Sequence, residues 1–271
     1  MVTINLRDKN FAGDVSSCHF LTNKYVKWER TNIKVSKSCF ITDLCLLDVY
    51  KAANIQRKVA WILEPKEISP EIYNWIEHNN RLFDFVLTYD LHLIQKGENY
   101  LYAPWGSTWI TKYIECEKTK NVSIIASQKN SAVGHQLRHS IINKIPNLSV
   151  YGSGYNPIEH KETALTDYRF SITIENSIQQ GYWTEKIIDC FNTKTIPIYW
   201  GSNNVVDYFN SDGIITFKTQ DDLQQILVNI EQNGKSIYNN KMKAIEENFV
   251  TAKAFNTTED WLFQNYKFLF N

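Results

Sequence analysis

The sequence predicts an α/β protein made of two Rossmann-like domains that face each other across a cleft. Three observations carry that expectation. Short apolar segments alternate with helical ones along the chain, the signature of mostly parallel sheets layered with helices. The alternation stops at a polar stretch, residues 115–121, and then starts again. The 271 residues, 43% of them hydrophobic, suffice for two medium domains with real cores. The expected division is 1–117 and 118–271, with the C-terminal helix packing back on the first domain.

In the first half, Val2, Ile4 and Leu6 alternate with polar residues as a strand, and residues 38–43 read as a second. Residues 58–63 form a buried apolar strand ending at Glu64-Pro65. Pro70 opens a helix to residue 79, at the helix position where its missing N–H is tolerated. Residues 83–88 are another strand, and 100–109, which hold Pro104 and Gly106, read as irregular. In the second half, a strand at 122–126 precedes a helix at 133–145, closed by Pro146. A strand at 148–151 ends in Gly152-Ser153-Gly154. A strand at 168–174 leads into a loop at 175–181 and a helix at 184–192, with Thr184 as its N-cap. Residues 195–200 are a buried strand ending at Gly201, and 213–217 are the last strand. Helices at 221–231, 237–254 and 259–270 complete the chain.

Composition excludes several classes. Lys plus Arg and Asp plus Glu each total 29, so the net charge is zero, which argues against a protein that coats nucleic acid. No apolar run approaches the ~20 residues of a membrane span. Residues 1–10 carry Arg7, Asp8 and Lys9 and do not resemble a secretory leader. The five cysteines are odd in number and show no C-x-x-C spacing, which suits free thiols in a reducing compartment. A soluble, cytoplasmic protein is expected. The eight Trp, 15 Tyr and 14 Phe are first of all packing residues, with sugar or base stacking as their functional alternative.

The chemically informative stretch is 167–202. A strand ends at Glu175-Asn176, and five residues later Tyr182-Trp183-Thr184-Glu185-Lys186 opens a helix. A helix N-terminus offers free N–H groups and a positive dipole end, which suits a diphosphate. Lys186 works against that dipole unless an anion justifies it; otherwise it belongs to a solvated helix face. Arg138, on the helix after the strand at 122–126, can grip phosphate in bidentate fashion. A helical Arg alone is more often a surface residue; together with Lys186 it would make a two-cation diphosphate site.

These residues resemble glycosyltransferase family 10, the α-1,3/4-fucosyltransferases. The ordered pieces are Ile174-Glu175-Asn176, then Gly181-Tyr182-Trp183-Thr184-Glu185-Lys186, then Ile196-Pro197-Ile198-Tyr199-Trp200-Gly201. Ile174 stands where the family usually has Phe. In the first half, Trp61-Ile62-Leu63-Glu64-Pro65, Leu87-Thr88-Tyr89 and Pro104-Trp105-Gly106 are similar to family segments more weakly. The resemblance implies a GT-B fold, GDP-fucose as donor, a saccharide acceptor and inversion at the anomeric carbon. It implies that Arg138 and Lys186 hold the diphosphate. Asn176, Tyr182 and Glu185 would contact the ribose or the fucose, and Thr184 completes the donor-binding set. By the same match Glu64 is the catalytic base, since single displacement needs one carboxylate to take the acceptor proton. Asp43, which also ends a buried strand, stands second. The first half would be the acceptor-binding domain and the second the donor-binding domain. The rival readings are a transferase of this fold using a UDP-sugar and a non-catalytic sugar-binding module.

No Asp-x-Asp triplet occurs, so neither a metal nor a cofactor is expected. His135 and His139 have the spacing of helical metal ligands but no third ligand beside them. Gly152-Ser153-Gly154 reads as a tight turn rather than a phosphate loop. Heptad repeats and a basic tail, which bacterial members of the family often carry, are absent from this sequence.

Overall fold

A computed structural model describes residues 1–11, 15–18, 20–31, 36–52 and 54–271. The chain divides into two compact units. The first comprises Met1–Ser107, Gln179–Tyr182 and Phe255–Asn271, and the second Thr108–Ile178 and Trp183–Ala254. The boundary expected near residue 117 thus falls at Ser107, and two later segments belong to the first unit.

The first unit is a six-stranded sheet in the order β2-β1-β3-β4-β5-β6. Its strands are β1 (Val2–Arg7), β2 (Val26–Glu29), β3 (Ser38–Thr42), β4 (Arg57–Trp61), β5 (Phe85–Thr88) and β6 (Tyr100–Tyr102), every neighbouring pair parallel. Strands β2 and β6 escape a sequence reading because each is a short edge strand. Helical turns at Asp43–Ala52, α1 (Pro70–Asn79) and α2 (Leu91–Ile94) join the strands. One face of the sheet packs Ile41, Ala60 and Val86 against Leu46, Ile72 and Ile76. The other packs Phe40, Val59 and Trp61 against Leu262, Leu269 and Phe270 from the C-terminal segment, which includes α8 (Thr258–Asn265). Alternate residues along each strand serve opposite cores, so both faces are apolar.

The second unit is a five-stranded sheet in the order β11-β10-β9-β7-β8, again wholly parallel. Its elements are β7 (Lys120–Ile125), α3 (Val133–Lys144), β8 (Ser149–Tyr151), α4 (Glu162–Leu165), β9 (Tyr168–Ile174), α5 (Glu185–Asn192), β10 (Ile196–Trp200), β11 (Ile215–Thr216), α6 (Gln220–Asn240) and α7 (Met242–Ala252). Ile124, Phe170, Ile172 and Ile198 meet Ile141 of α3 and Leu223 and Ile230 of α6 on one face. Helix α6 runs through Gly234 where the sequence suggests a break. A Cβ at Gly234 would lie 2.8 Å from Asn121 Oδ1, so close packing against β7 explains the glycine.

In both sheets chain order reverses beside the first strand, between β1 and β3 and between β7 and β9. Such switch points leave a crevice at the carboxyl ends of the strands, where ligands of this architecture bind.

Lys118 ties the entry of β7 to the strands beside it. Its ammonium is buried and donates to the carbonyls of Leu165 (3.3 Å), Thr166 (2.9 Å) and Tyr168 (2.9 Å) and to Thr195 Oγ1 (3.0 Å). Burial pushes its pKa down from 10.5 to about 7. Between those values the unfolded chain holds a proton that the folded protein has released, so this residue makes stability rise with pH across that window. Lys118→Met removes the effect. In urea unfolding between pH 7 and 9, the wild type gains up to about 1.4 kcal/mol per pH unit that the variant lacks. Parallel pH dependences in the two proteins would show that Lys118 does not titrate in this range.

Candidate active site

The predicted donor residues other than Tyr182 converge at the carboxyl end of β9, beside the switch point of the second sheet. The Glu175 amide continues the ladder by donating to the Trp200 carbonyl (2.9 Å). Its side chain is fully buried and accepts from the Thr184 amide (2.9 Å) and the Thr184 hydroxyl (2.7 Å). Lys186 Nζ lies 3.3 Å from the same carboxylate. Thr184 caps α5: its Oγ1 accepts from the amide (3.4 Å) and the ammonium (3.0 Å) of Lys186. Thr184 and Glu175 therefore build the turn from inside. Sequence reading assigned no role to Glu175; a carboxylate directly after the buried strand β9 was the available signal.

Glu185 and Lys186 are the half-buried side of this turn. Lys186 Nζ is 3.5 Å from Glu185, and Lys161 Nζ is 3.6 Å from Glu185 and 2.7 Å from Asp189. Burial pushes the Glu185 carboxyl up, but the ammonium groups of Lys186 and Lys161 prevail and hold it at about 2. Lys186 is thus partly neutralised by carboxylates of its own unit.

Arg138 reaches the same place from α3 and is 7% exposed. Its Nε and Nη2 donate to the Ile174 carbonyl (3.1 and 2.6 Å), and Nη2 also donates to Asn176 Oδ1 (3.0 Å). The Gly134 amide, at the start of α3, donates to the Asn176 carbonyl (3.0 Å). His135 reports the local field: burial first, then the positive charges of Arg138, Lys129 and Lys186, press its pKa down to about 4. The two cations named from sequence therefore both reach the residues that end β9, Arg138 at Ile174 and Asn176 and Lys186 at Glu175.

Tyr182 is placed differently. It belongs to the first unit, is 1% exposed, and its ring centroid lies 5.0 Å from that of Tyr89. Gly181 precedes it with φ +87°, and a Cβ there would overlap the Tyr89 carbonyl oxygen. Gln179 of the same segment accepts from the Lys66 amide (2.9 Å) and donates to Tyr73 Oη (3.0 Å) and Asp90 Oδ2 (2.8 Å). These contacts, made by residues far apart in sequence, hold Gln179–Tyr182 in the first unit.

Glu64 follows β4 at the carboxyl edge of the first sheet, and its side chain is half-buried. Its backbone is clamped. The Leu63 amide donates to Asp43 Oδ1 (2.8 Å), the Glu64 amide donates to Asp43 Oδ2 (3.3 Å), and the Glu64 carbonyl accepts from Tyr73 Oη (3.2 Å). Asp43 itself is fully buried.

His139 bonds Tyr155 Oη (2.6 Å) and the Lys129 carbonyl (2.9 Å), and His135 Nδ1 accepts from the Ala132 amide (3.2 Å). Among the described residues no group of three or more His, Cys, Asp or Glu is placed to hold a metal, and no helix is long and apolar enough to cross a membrane.

A family model, glycosyltransferase family 10 (fucosyltransferase) C-terminal part, matches residues 116–262. An α-(1,3)-fucosyltransferase of Helicobacter pylori is 37% identical over 98 residues, covering 34% of this chain and 20% of that protein. A 4-galactosyl-N-acetylglucosaminide 3-α-L-fucosyltransferase of Rattus norvegicus is 22% identical over 234 residues, covering 82% of this chain and 62% of that protein. The chain thus spans less than two thirds of the length of either relative. Among solved structures, an α1,3-fucosyltransferase with GDP-fucose superposes with a TM-score of 0.59 at 20% identity, covering 91% of this chain and 82% of that one. An α1,3-fucosyltransferase with GDP gives 0.59 at 18% identity, covering 94% and 90%. At such identities the likeness is one of fold, that of the GT-B glycosyltransferases.

Proposed function

The chain belongs to glycosyltransferase family 10, the fucosyltransferases, and from that premise we propose that it transfers L-fucose from GDP-fucose to a hydroxyl of a saccharide acceptor. The reaction is a metal-independent single displacement with inversion. The acceptor oxygen attacks the anomeric carbon, the bond from that carbon to the diphosphate oxygen breaks, and GDP leaves. The observation that supports this reading is that Arg138 and Lys186 both reach the end of β9, Arg138 at Ile174 and Asn176 and Lys186 at Glu175. Charge grows on the diphosphate as it departs, and fixed cations at that point favour the transition state over the ground state. Glu64 takes the proton released by the acceptor. Asn176 and Glu185, beside the two cations, contact the ribose or the sugar. Thr184, which is buried, serves as the frame of the donor-binding turn. No disulfide joins cysteines among the described residues, which suits a reducing compartment, and a cytoplasmic location is part of the proposal. The direct test is a product screen with purified protein, GDP-fucose and an acceptor panel, read by mass spectrometry. An acceptor product heavier by one deoxyhexose residue supports the reading; no product on any acceptor, with GDP-fucose unbound, overturns it.

Arg138→Ala and Lys186→Ala each weaken GDP affinity. A charge-assisted contact is worth about 1.5–3 kcal/mol, or about 10- to 150-fold. The Arg138 variant also releases Ile174 and Asn176, so its loss is expected at the upper end. Calorimetric titration with GDP measures both, and unchanged affinity in the two variants removes the diphosphate assignment.

On this reading Arg138 and Lys186 take the part a metal would play at the diphosphate, so turnover is expected to survive EDTA. Complete loss of activity that Mn²⁺ restores would contradict this.

A further inference from the structure

Asp43 stands at the carboxyl end of β3, beside the strand-order switch of the first sheet. Its backbone is in the left-handed region, φ +33°, which residues with a Cβ seldom occupy and which gathers at functional sites. The side chain is turned into the protein with no exposed surface. Its Oδ1 accepts from the Leu63 amide (2.8 Å), and its Oδ2 accepts from the Glu64 amide (3.3 Å) and from Asn10 Nδ2 (2.8 Å). Neighbouring Asp8, held by the Thr42 hydroxyl (2.7 Å), adds a second negative group. Burial pushes the Asp43 carboxyl up to about 8, the Glu64 and Asp8 charges add to the rise, and the Leu63 and Glu64 amides oppose it.

A buried carboxylate is costly unless it is paired or fully hydrogen-bonded. Among the described residues no cation lies within ion-pair distance of Asp43, and the partners of its oxygens are N–H donors. Two of those donors are the consecutive amides that lead into Glu64. A neutral asparagine could not accept from all three, because one arm of an amide is a donor. Full burial also excludes Asp43 as the base, since no acceptor hydroxyl reaches it.

We propose that Asp43 is a positioning residue: its carboxyl group fixes the Leu63–Glu64 peptide and thereby aims the Glu64 side chain at the acceptor hydroxyl. This rests on the reading of Glu64 as the base. Tyr73 holds the carbonyl side of Glu64, so Asp43 and Tyr73 set the two ends of that residue. A misplacement of about 1 Å in a reacting group costs on the order of 10²-fold in rate.

The test is a cycle of Asp43→Asn, Glu64→Gln and the double variant, with turnover followed over long incubations by mass spectrometry and GDP affinity by calorimetry. Asp43→Asn is expected to lower kcat by about 10- to 100-fold and to leave GDP affinity and the donor KM within about twofold. In the Glu64→Gln background the same change is expected to alter residual turnover by less than about twofold, because residues acting as a unit are not additive. An equal loss in both backgrounds, or an Asp43→Asn enzyme with kcat within about twofold of wild type, overturns the proposal. An inactive Glu64→Gln beside a fully active Asp43→Asn removes only the Asp43 role. A fully active Glu64→Gln removes the base reading and the Asp43 proposal with it. If Asp43→Asn does not fold, Asn10→Ala withdraws one donor while leaving the carboxylate in place. A kcat loss of about threefold to tenfold that vanishes in the Glu64→Gln background supports the proposal; no loss overturns it.

Discussion

Glu64→Gln lowers turnover by about 10²–10⁴-fold, roughly 3–5.5 kcal/mol of transition-state stabilisation, and leaves GDP affinity nearly unchanged. The substitution preserves size and shape but cannot take a proton at working pH. The peptide around residue 64 keeps its position, because Asp43 and Tyr73 hold backbone atoms that the change does not touch. Arg138 and Lys186 belong to the other compact unit, so the diphosphate contacts proposed for them are unaffected. Initial rates at saturating donor, with calorimetry for GDP, separate the two effects. Near-normal turnover would rule Glu64 out as base. The sequence placed Asp43 next in line, and the structure withdraws it: a carboxyl with no exposed surface and three N–H donors on its oxygens has no route to an acceptor.

Gly134→Ala damages the donor turn at its base. A Cβ at residue 134 would overlap the Glu175 carbonyl oxygen and stand 2.9 Å from its carbon and 3.0 Å from Asn176 Cα. Overpacking costs about 1–3 kcal/mol where side chains can yield, and occasionally more. Here the opposing atoms are backbone, so about 3 kcal/mol or more is expected, which is about 150-fold if it falls wholly on donor binding. To relax, residues 175–176 must lift from α3. That breaks the Gly134–Asn176 bond and pulls Asn176 from Arg138. GDP titration and thermal melting read the two parts of the loss. A variant that melts and binds GDP like the wild type would show that the loop at 175–176 is not seated on α3 as described.

Much of this was legible in the sequence. Each apolar strand and most helices announce themselves through periodicity, because a strand or helix buries the residues its own repeat presents. The ordered segments around Glu175, Lys186 and Pro197 identified the family, and the matching family model and fold agree. Less was legible where elements are short or where a glycine interrupts a pattern. Strands β2 and β6 have too few residues to show a period, and Gly234 reads as a break because the packing of Asn121 against it leaves no trace in the sequence.

The sequence by itself determined the alternation of strands and helices, the chemical types at the donor turn and the family. These depend on local order, and spacing along the chain records them. Only the tertiary structure decided which of the named residues face outward. Thr184 turns in to Glu175, Tyr182 packs on Tyr89, and Lys186 spends part of its charge on Glu175 and Glu185. It also decided that Gln179–Tyr182 counts with the first unit and that Asp43 braces Glu64. The physical reason is range. Asp43 and Glu64 are 21 positions apart, and Gln179 and Tyr73 are 106 apart. Burial and hydrogen-bond pairing at such separations arise only when the sheets bring distant strand ends together, and no periodicity in the chain encodes that meeting.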